Sequence, residues 1–312
     1  NNDTPSEITI ALQERNLQLL EINIEDKNLR SRNLDLFKSM FIGRDYWGRN
    51  AQLLNDSVLS FISQYDYPKI MITKDIKNDI RTGAIKDIHE WDKDSTYVIL
   101  KTLSDLEVIV KSPLDIDMPL LGYKLRVDLI DFSIDIVEKY VQVNFLGHYY
   151  FHPYVLENKR EVKRIEKNRR TAYFNSGKHF LRSIYEQTLN ENGYKIDERL
   201  KDDATSSTTY ETTNFENNVN YIDNDRLQII GLKGKEFTIS YFSNTNHAPI
   251  DIRKIHRALE EYTIERSKLY FMNDTCIINK HGTFTNNEIM FGGSISQKRV
   301  GSYLPENYEL ED

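Results

Sequence analysis

Residues 123–145 read YKLRVDLIDFSIDIVEKYVQVNF, and the fold class turns on this stretch. From Tyr123 to Leu129 apolar side chains hold the odd positions, while Lys124, Arg126 and Asp128 hold the even ones. That period of two describes a β-strand with one buried and one wet face, the pattern of an antiparallel sheet. At Ile130, Phe132, Ile134 and Ile136 the apolar parity moves to even positions, and at Val141, Val143 and Phe145 it returns to odd. A slip of one residue would turn the core face outward, so each change of parity requires a bulge or a turn.

The same period extends outward in both directions. Strands are expected at 8–12, 17–24, 97–100, 106–110 and 140–145. Downstream, 227–230 and 236–242 read as a hairpin across Leu232-Lys233-Gly234-Lys235. Residues 275–278 and 288–291 read as a final hairpin. The stretch 252–271 is helical by spacing in its first half and strand-like from Tyr262. Apolar positions 34, 36, 37, 40 and 41 give a helix over 29–42 with Gly43 as its stop. Residues 197–226 are rich in Asn, Thr, Ser and Asp, and a mobile loop is expected there, because such a composition buries little apolar area.

Between the strands lies a helical insertion, 157–192. Its core reads KREVKRIEKNRRTAYFNSGKHFLRSIYE over 159–186. Val162, Ile165 and Ala172 share one side, and Phe180, Leu181, Ile184, Tyr185, Thr188 and Leu189 form a second apolar stripe. Ser176 is a fitting N-cap for the second helix, and Asn192-Gly193 its end. The insertion is thus a helical hairpin or a sharply kinked helix packed on a sheet face. The expected fold is α+β, predominantly antiparallel β in a sandwich or a partly closed barrel, with 28–312 as one domain carrying this hairpin. A closed or nearly closed barrel would remove exposed strand edges.

The 312 residues carry a formal net charge of -7. This argues against general nucleic-acid binding, which needs a basic surface to neutralise phosphates. Cys276 is the only cysteine, so an internal disulfide and a multi-cysteine metal cage are excluded. No apolar run approaches the roughly 20 residues of a membrane-spanning helix, so no transmembrane segment is expected. The chain opens Asn1-Asn2-Asp3 and its first methionine is Met40, so a leader or an N-terminal domain is expected before it.

The chain carries no catalytic signature. His148 and His152 stand four apart in a strand context, which separates them by about 13 Å and precludes a shared metal. Asp115 with Asp117, and Asp128 with Asp131, read as solvated carboxylates rather than a catalytic pair. Cys276, beside Ile277 and Ile278, reads as a small core residue. No catalytic residue, metal or cofactor is expected from these patterns. The basic helix leaves two readings: a solvated outer face, or an anion site formed by Arg169, Arg170, His179 and Arg182 near the N-terminus at Ser176. Solvation is favoured for Lys159, Arg160, Lys163 and Lys167, and a structural role for Arg169 and Arg182, which fall near the apolar seams.

Residues Lys167, Asn168, Arg169, Ala172, Tyr173, Ser176, His179, Phe180, Leu181, Arg182, Ile184, Tyr185, Asn192, Gly193 and Tyr194 follow a pattern resembling the Bacteroidetes carboxypeptidase-like regulatory domain-containing proteins, in the region C-terminal to their regulatory-like sandwich. Leu121-Gly122-Tyr123-Lys124-Leu125, Gly292-Gly293-Ser294 and Leu304-Pro305-Glu306-Asn307-Tyr308 extend the likeness along the chain. Two positions depart from it, with Ile165 where tryptophan is expected and Asn175 where glycine is. The resemblance implies a cell-envelope or secreted location, and makes 1–27 a linker or the trailing edge of a preceding β-sandwich. It carries no established activity. The reading that follows is a non-enzymatic binding or scaffold module of the bacterial envelope, with an anionic envelope component or an envelope protein as partner. A hydrolase acting on a surface glycan or peptide is the alternative.

Overall fold

A computed structural model describes residues 27–91, 96–137, 140–202, 207–255, 262–284 and 288–310. The strands expected at 8–12 and 17–24, and the 1–27 linker apart from Lys27, lie outside the described residues. The first helix is α1 (Lys27–Phe37), which runs into a π turn, Lys38–Ile42. Gly43 stops it at a φ of 115°, where its N–H donates to the Lys38 carbonyl. Short α2 (Tyr46–Asn50) and α3 (Lys74–Thr82) follow.

The N-terminal strands are β1 (Gln52–Leu53), β2 (Leu59–Asp66), β3 (Lys69–Met71), β4 (Ile88–Trp91), β5 (Tyr97–Leu100), β6 (Thr102–Val110), β7 (Leu114–Met118), β8 (Tyr123–Val137) and β9 (Tyr140–Pro153). β8, which begins the quoted stretch, is the spine. β9 pairs antiparallel along its whole length, while its other edge is shared between β7 and β6, which are extended by β1 and β2. The parity change falls where the sequence demands it. The β8–β9 register shifts between Leu129 and Asp131, so Ile130 is the extra residue and is 57% exposed. Opposite the bulge stands Gly147, where an added Cβ would come within 2.8 Å of the Asp128 carbonyl oxygen. Phe37 and Phe41 of the first helix pack edge-on to Phe132, with ring centres 4.8 and 5.8 Å away.

The helical insertion is two helices, α4 (Lys159–Tyr173) and α5 (Gly177–Tyr185), broken at Phe174–Ser176. Ser176 is the N-cap, its hydroxyl accepting the His179 N–H at 3.1 Å. The second helix ends at Tyr185 rather than at Asn192-Gly193, and turns carry the chain on to Gly193. Then come β10 (Tyr194–Asp202), β11 (Ser207–Thr213), β12 (Val219–Tyr221), β13 (Arg226–Ile230), β14 (Glu236–Ser243), β15 (Thr263–Phe271), β16 (Thr275–Asn279) and β17 (Ile289–Gly293), and last α6 (Ser294–Gln297). A five-stranded sheet runs β11-β10-β14-β15-β17, and β12-β13-β16 form a separate sheet of three.

The fold is therefore α+β and predominantly antiparallel. Its sheets are open, and the closed barrel is absent among the described residues. Three local expectations need correction. Within 197–226 the described residues form most of β10, all of β11 and β12 and the start of β13, because Phe215 supplies the buried anchor that composition concealed. β13 and β14 do not pair as a hairpin. The turn with Gly231 and Gly234, both at positive φ, moves the chain from the three-stranded sheet to the five-stranded one. β16 and β17 likewise join different sheets.

Candidate functional site

The positive charge of the helical insertion divides into solvated and internal groups. Lys159, Arg160, Lys163 and Lys167 are exposed, and so is Arg170. Arg169 turns inward, donating from Nε to the Leu121 carbonyl at 2.8 Å with its guanidinium 4.0 Å from the Tyr123 ring centre. Arg182 is buried and donates to the carbonyls of Tyr308 at 2.6 Å and Glu306 at 3.0 Å. Lys178 donates to Leu304 and Pro305 at 2.9 and 2.6 Å. Burial, with Arg182 adding positive charge, pushes its ammonium down to about 7. From the opposite direction, half-buried Lys298 donates to the Ala172 and Phe174 carbonyls at the end of α4, a favourable place for a cation. These groups strap the C-terminal segment onto the helices.

His179 is held neutral inside. Its Nδ1 accepts the Asn175 N–H at 3.2 Å, which makes the Tyr194 hydroxyl at 2.8 Å a second donor and leaves the ring proton on Nε2. Burial first, then the nearby Lys298 charge, pushes it down to about 3. Of the four residues suggested as an anion site, then, only Arg170 is exposed, while Arg169 and Arg182 already serve backbone carbonyls.

A different surface emerges from strand alternation in the five-stranded sheet. Tyr194, Ile196, Phe237, Ile239 and Tyr241 point to the core, where α5 covers them through Phe180 and His179. The opposite face is uncovered and forms a shallow groove of about 590 Å³. Its lining includes Lys195, Asp197, Tyr210, Phe242, Ile264 and Arg266. The register sets Lys195 opposite Ser240 and Ser240 opposite Arg266, while Asp197, Thr238 and Lys268 form the neighbouring row.

Most charges here neutralise one another. Lys195 meets Asp197 at 2.9 Å, and Asp197 also accepts the Thr212 hydroxyl at 2.7 Å. Glu236 accepts Lys268 at 2.8 Å and Arg199 at 2.9 Å, and these cations hold its carboxyl below the usual range. Arg266 stands apart: it is exposed, and its guanidinium has no hydrogen-bond or ion-pair partner among the described residues. Lys195, Arg199, Arg266 and Lys268 outnumber Asp197 and Glu236, so this face is locally positive on an acidic chain. Tyr210 (59% exposed) and Ile264 (41% exposed) add apolar surface beside the guanidinium.

The carboxylates named from sequence do not assemble. Asp117 accepts the Tyr154 hydroxyl, and Asp128 and Asp131 are separated by the bulge. A pair that local sequence did not reveal is Asp105 and Asp135, which face each other across β6 and β8. Partial burial and the neighbouring Asp135 carboxylate raise the Asp105 carboxyl. Only the pairing of strands thirty residues apart along the chain could have exposed it. His148 and His152 are exposed on one strand face, and Cys276 is buried. Among the described residues no group of His, Cys, Asp and Glu is arranged to hold a metal, and no helix is long and apolar enough to cross a membrane. No family model, curated protein or solved structure matches the chain.

Proposed function

We propose that the protein is a non-enzymatic binding or scaffold module of the bacterial cell envelope, and that the open face of the five-stranded sheet receives an anionic envelope component. The observation that carries this reading is Arg266, an exposed guanidinium without a partner among the described residues, at the centre of a locally positive groove. A guanidinium in that setting pairs well with carboxylate or phosphate oxygens. Tyr210, Phe242 and Ile264 offer apolar contact to the rest of the ligand. The envelope location rests on the resemblance of residues 167–194 to the regulatory-domain-containing proteins.

Titration with lipopolysaccharide micelles tests the reading. Arg266→Glu is expected to weaken binding by roughly tenfold or more, about 1.4 kcal/mol, without lowering the melting temperature, and wild-type affinity is expected to fall as salt rises. Equal affinity for variant and wild type would remove the groove from consideration.

The alternative, a hydrolase acting on a surface glycan or peptide, draws support from Asp105 and Asp135, two carboxyl groups that face each other across β6 and β8. Turnover of an envelope glycan or peptide that disappears in Asp135→Asn would favour it over the binding module.

A further inference from the structure

We propose that the outer edge of β9 is a docking edge for a second copy of this chain, paired antiparallel about a two-fold axis so that two six-stranded sheets become one. β9 is 14 residues long and pairs with β8 on one side, while no strand among the described residues pairs with its other side. Unpaired edges usually carry charges, prolines or bulges that discourage further pairing. This one does not. In a chain with 29% charged residues, Tyr140–Pro153 contains no Asp, Glu, Lys or Arg, and its only proline is the last residue. Tyr140, Val141, Leu146 and Tyr150 are exposed large side chains along it, Tyr140 to 77%.

Charge and symmetry together select a second copy as the occupant. A strand without charged side chains offers no complement to a charged partner, and it opposes no like charges when it meets itself. Two-fold antiparallel pairing can set odd positions against odd and even against even. The half-buried Val143, Phe145, Tyr149 and Phe151 would then continue one inner face across the junction, and Leu146 and Tyr150 one outer face. The axis falls near the strand midpoint, which brings the two Leu146 side chains close together.

Sedimentation of the full chain from roughly 1 to 100 µM tests this, with amide exchange run at both ends of the range. A concentration-dependent dimer is expected, with backbone amides of 140–153 gaining protection as it forms. Leu146→Lys sets two cations against each other across the axis, Tyr150→Lys adds a cation to the same outer face, and together they are expected to weaken the dimer by roughly tenfold or more. Both side chains are exposed, so the variant's monomer should keep the wild-type circular dichroism. The groove variant Tyr210→Lys is expected to dimerise as wild type does. A monomer throughout, a dimer that leaves 140–153 unprotected, or one indifferent to the two lysines would overturn the proposal.

Discussion

Arg182 shows how a charge inside a protein can be structural without any carboxylate partner. Its guanidinium lies over the Tyr173 ring and donates to two carbonyls of the C-terminal segment, while Arg169 does the same for Leu121. Those bonds are partly buried, so losing the donors leaves partly desolvated acceptors. Arg169→Ala with Arg182→Ala is therefore expected to cost on the order of 3 kcal/mol or more. A calorimetric melt within about 1 kcal/mol of wild type would show these arginines to be free for a ligand. Asn175 sits at a φ of 53°, a conformation glycine adopts freely and asparagine tolerates better than most residues. Ile165 is buried over Gly122, where an added Cβ would lie 2.8 Å from its Cδ1.

At the scale of elements, the decisive features are parity and anchoring. The extra residue Ile130 lets β8 bury Leu125 and Val127 before the bulge and Phe132 and Ile134 after it. The segment once expected to be a loop is held by Phe215, whose ring is 1% exposed and edge-on to Phe237 and Phe271 at 5.1 and 5.8 Å. Phe215 also adopts a φ of 63°, an uncommon conformation for an aromatic residue that its packing must offset. Phe215→Ala is expected to destabilise the protein by about 3–5 kcal/mol. If denaturant titration instead gave a change below about 0.5 kcal/mol, this stretch would contribute little to the fold.

Across the whole molecule, buried side chains form one cluster from Phe37 to Leu304, so the environment of an inner residue affects global stability. His179 couples that stability to pH. Its native value of about 3 lies below the roughly 6.5 of an unfolded histidine. Above about 6.5 both states are neutral and the stabilisation is complete; as pH falls, the unfolded state takes up a proton the native state refuses. Stability is thus expected to fall between about pH 6.5 and 3, by up to roughly 1.4 kcal/mol per unit from this group. Denaturant titrations at several pH values should show a shallower decline for His179→Gln than for wild type. Equal slopes would mean that His179 reaches solvent in the native state.

What could be determined from the sequence alone was local. The α+β class with antiparallel strands, the helix ending at Gly43, the Ser176 cap, the two-helix insertion and the break in parity at Ile130 all follow from spacing and backbone preference within a few residues. Tertiary structure decided which strands meet. It separated β13 from β14, exposed the five-stranded sheet's outer face, set Asp105 against Asp135, and directed Arg182 and Lys178 to carbonyls more than 120 positions away. The physical reason is that alternation records which face of a strand is buried but not its neighbour. Cross-strand partners are chosen by the joint packing of the core, and the groove and the buried cations depend on that choice.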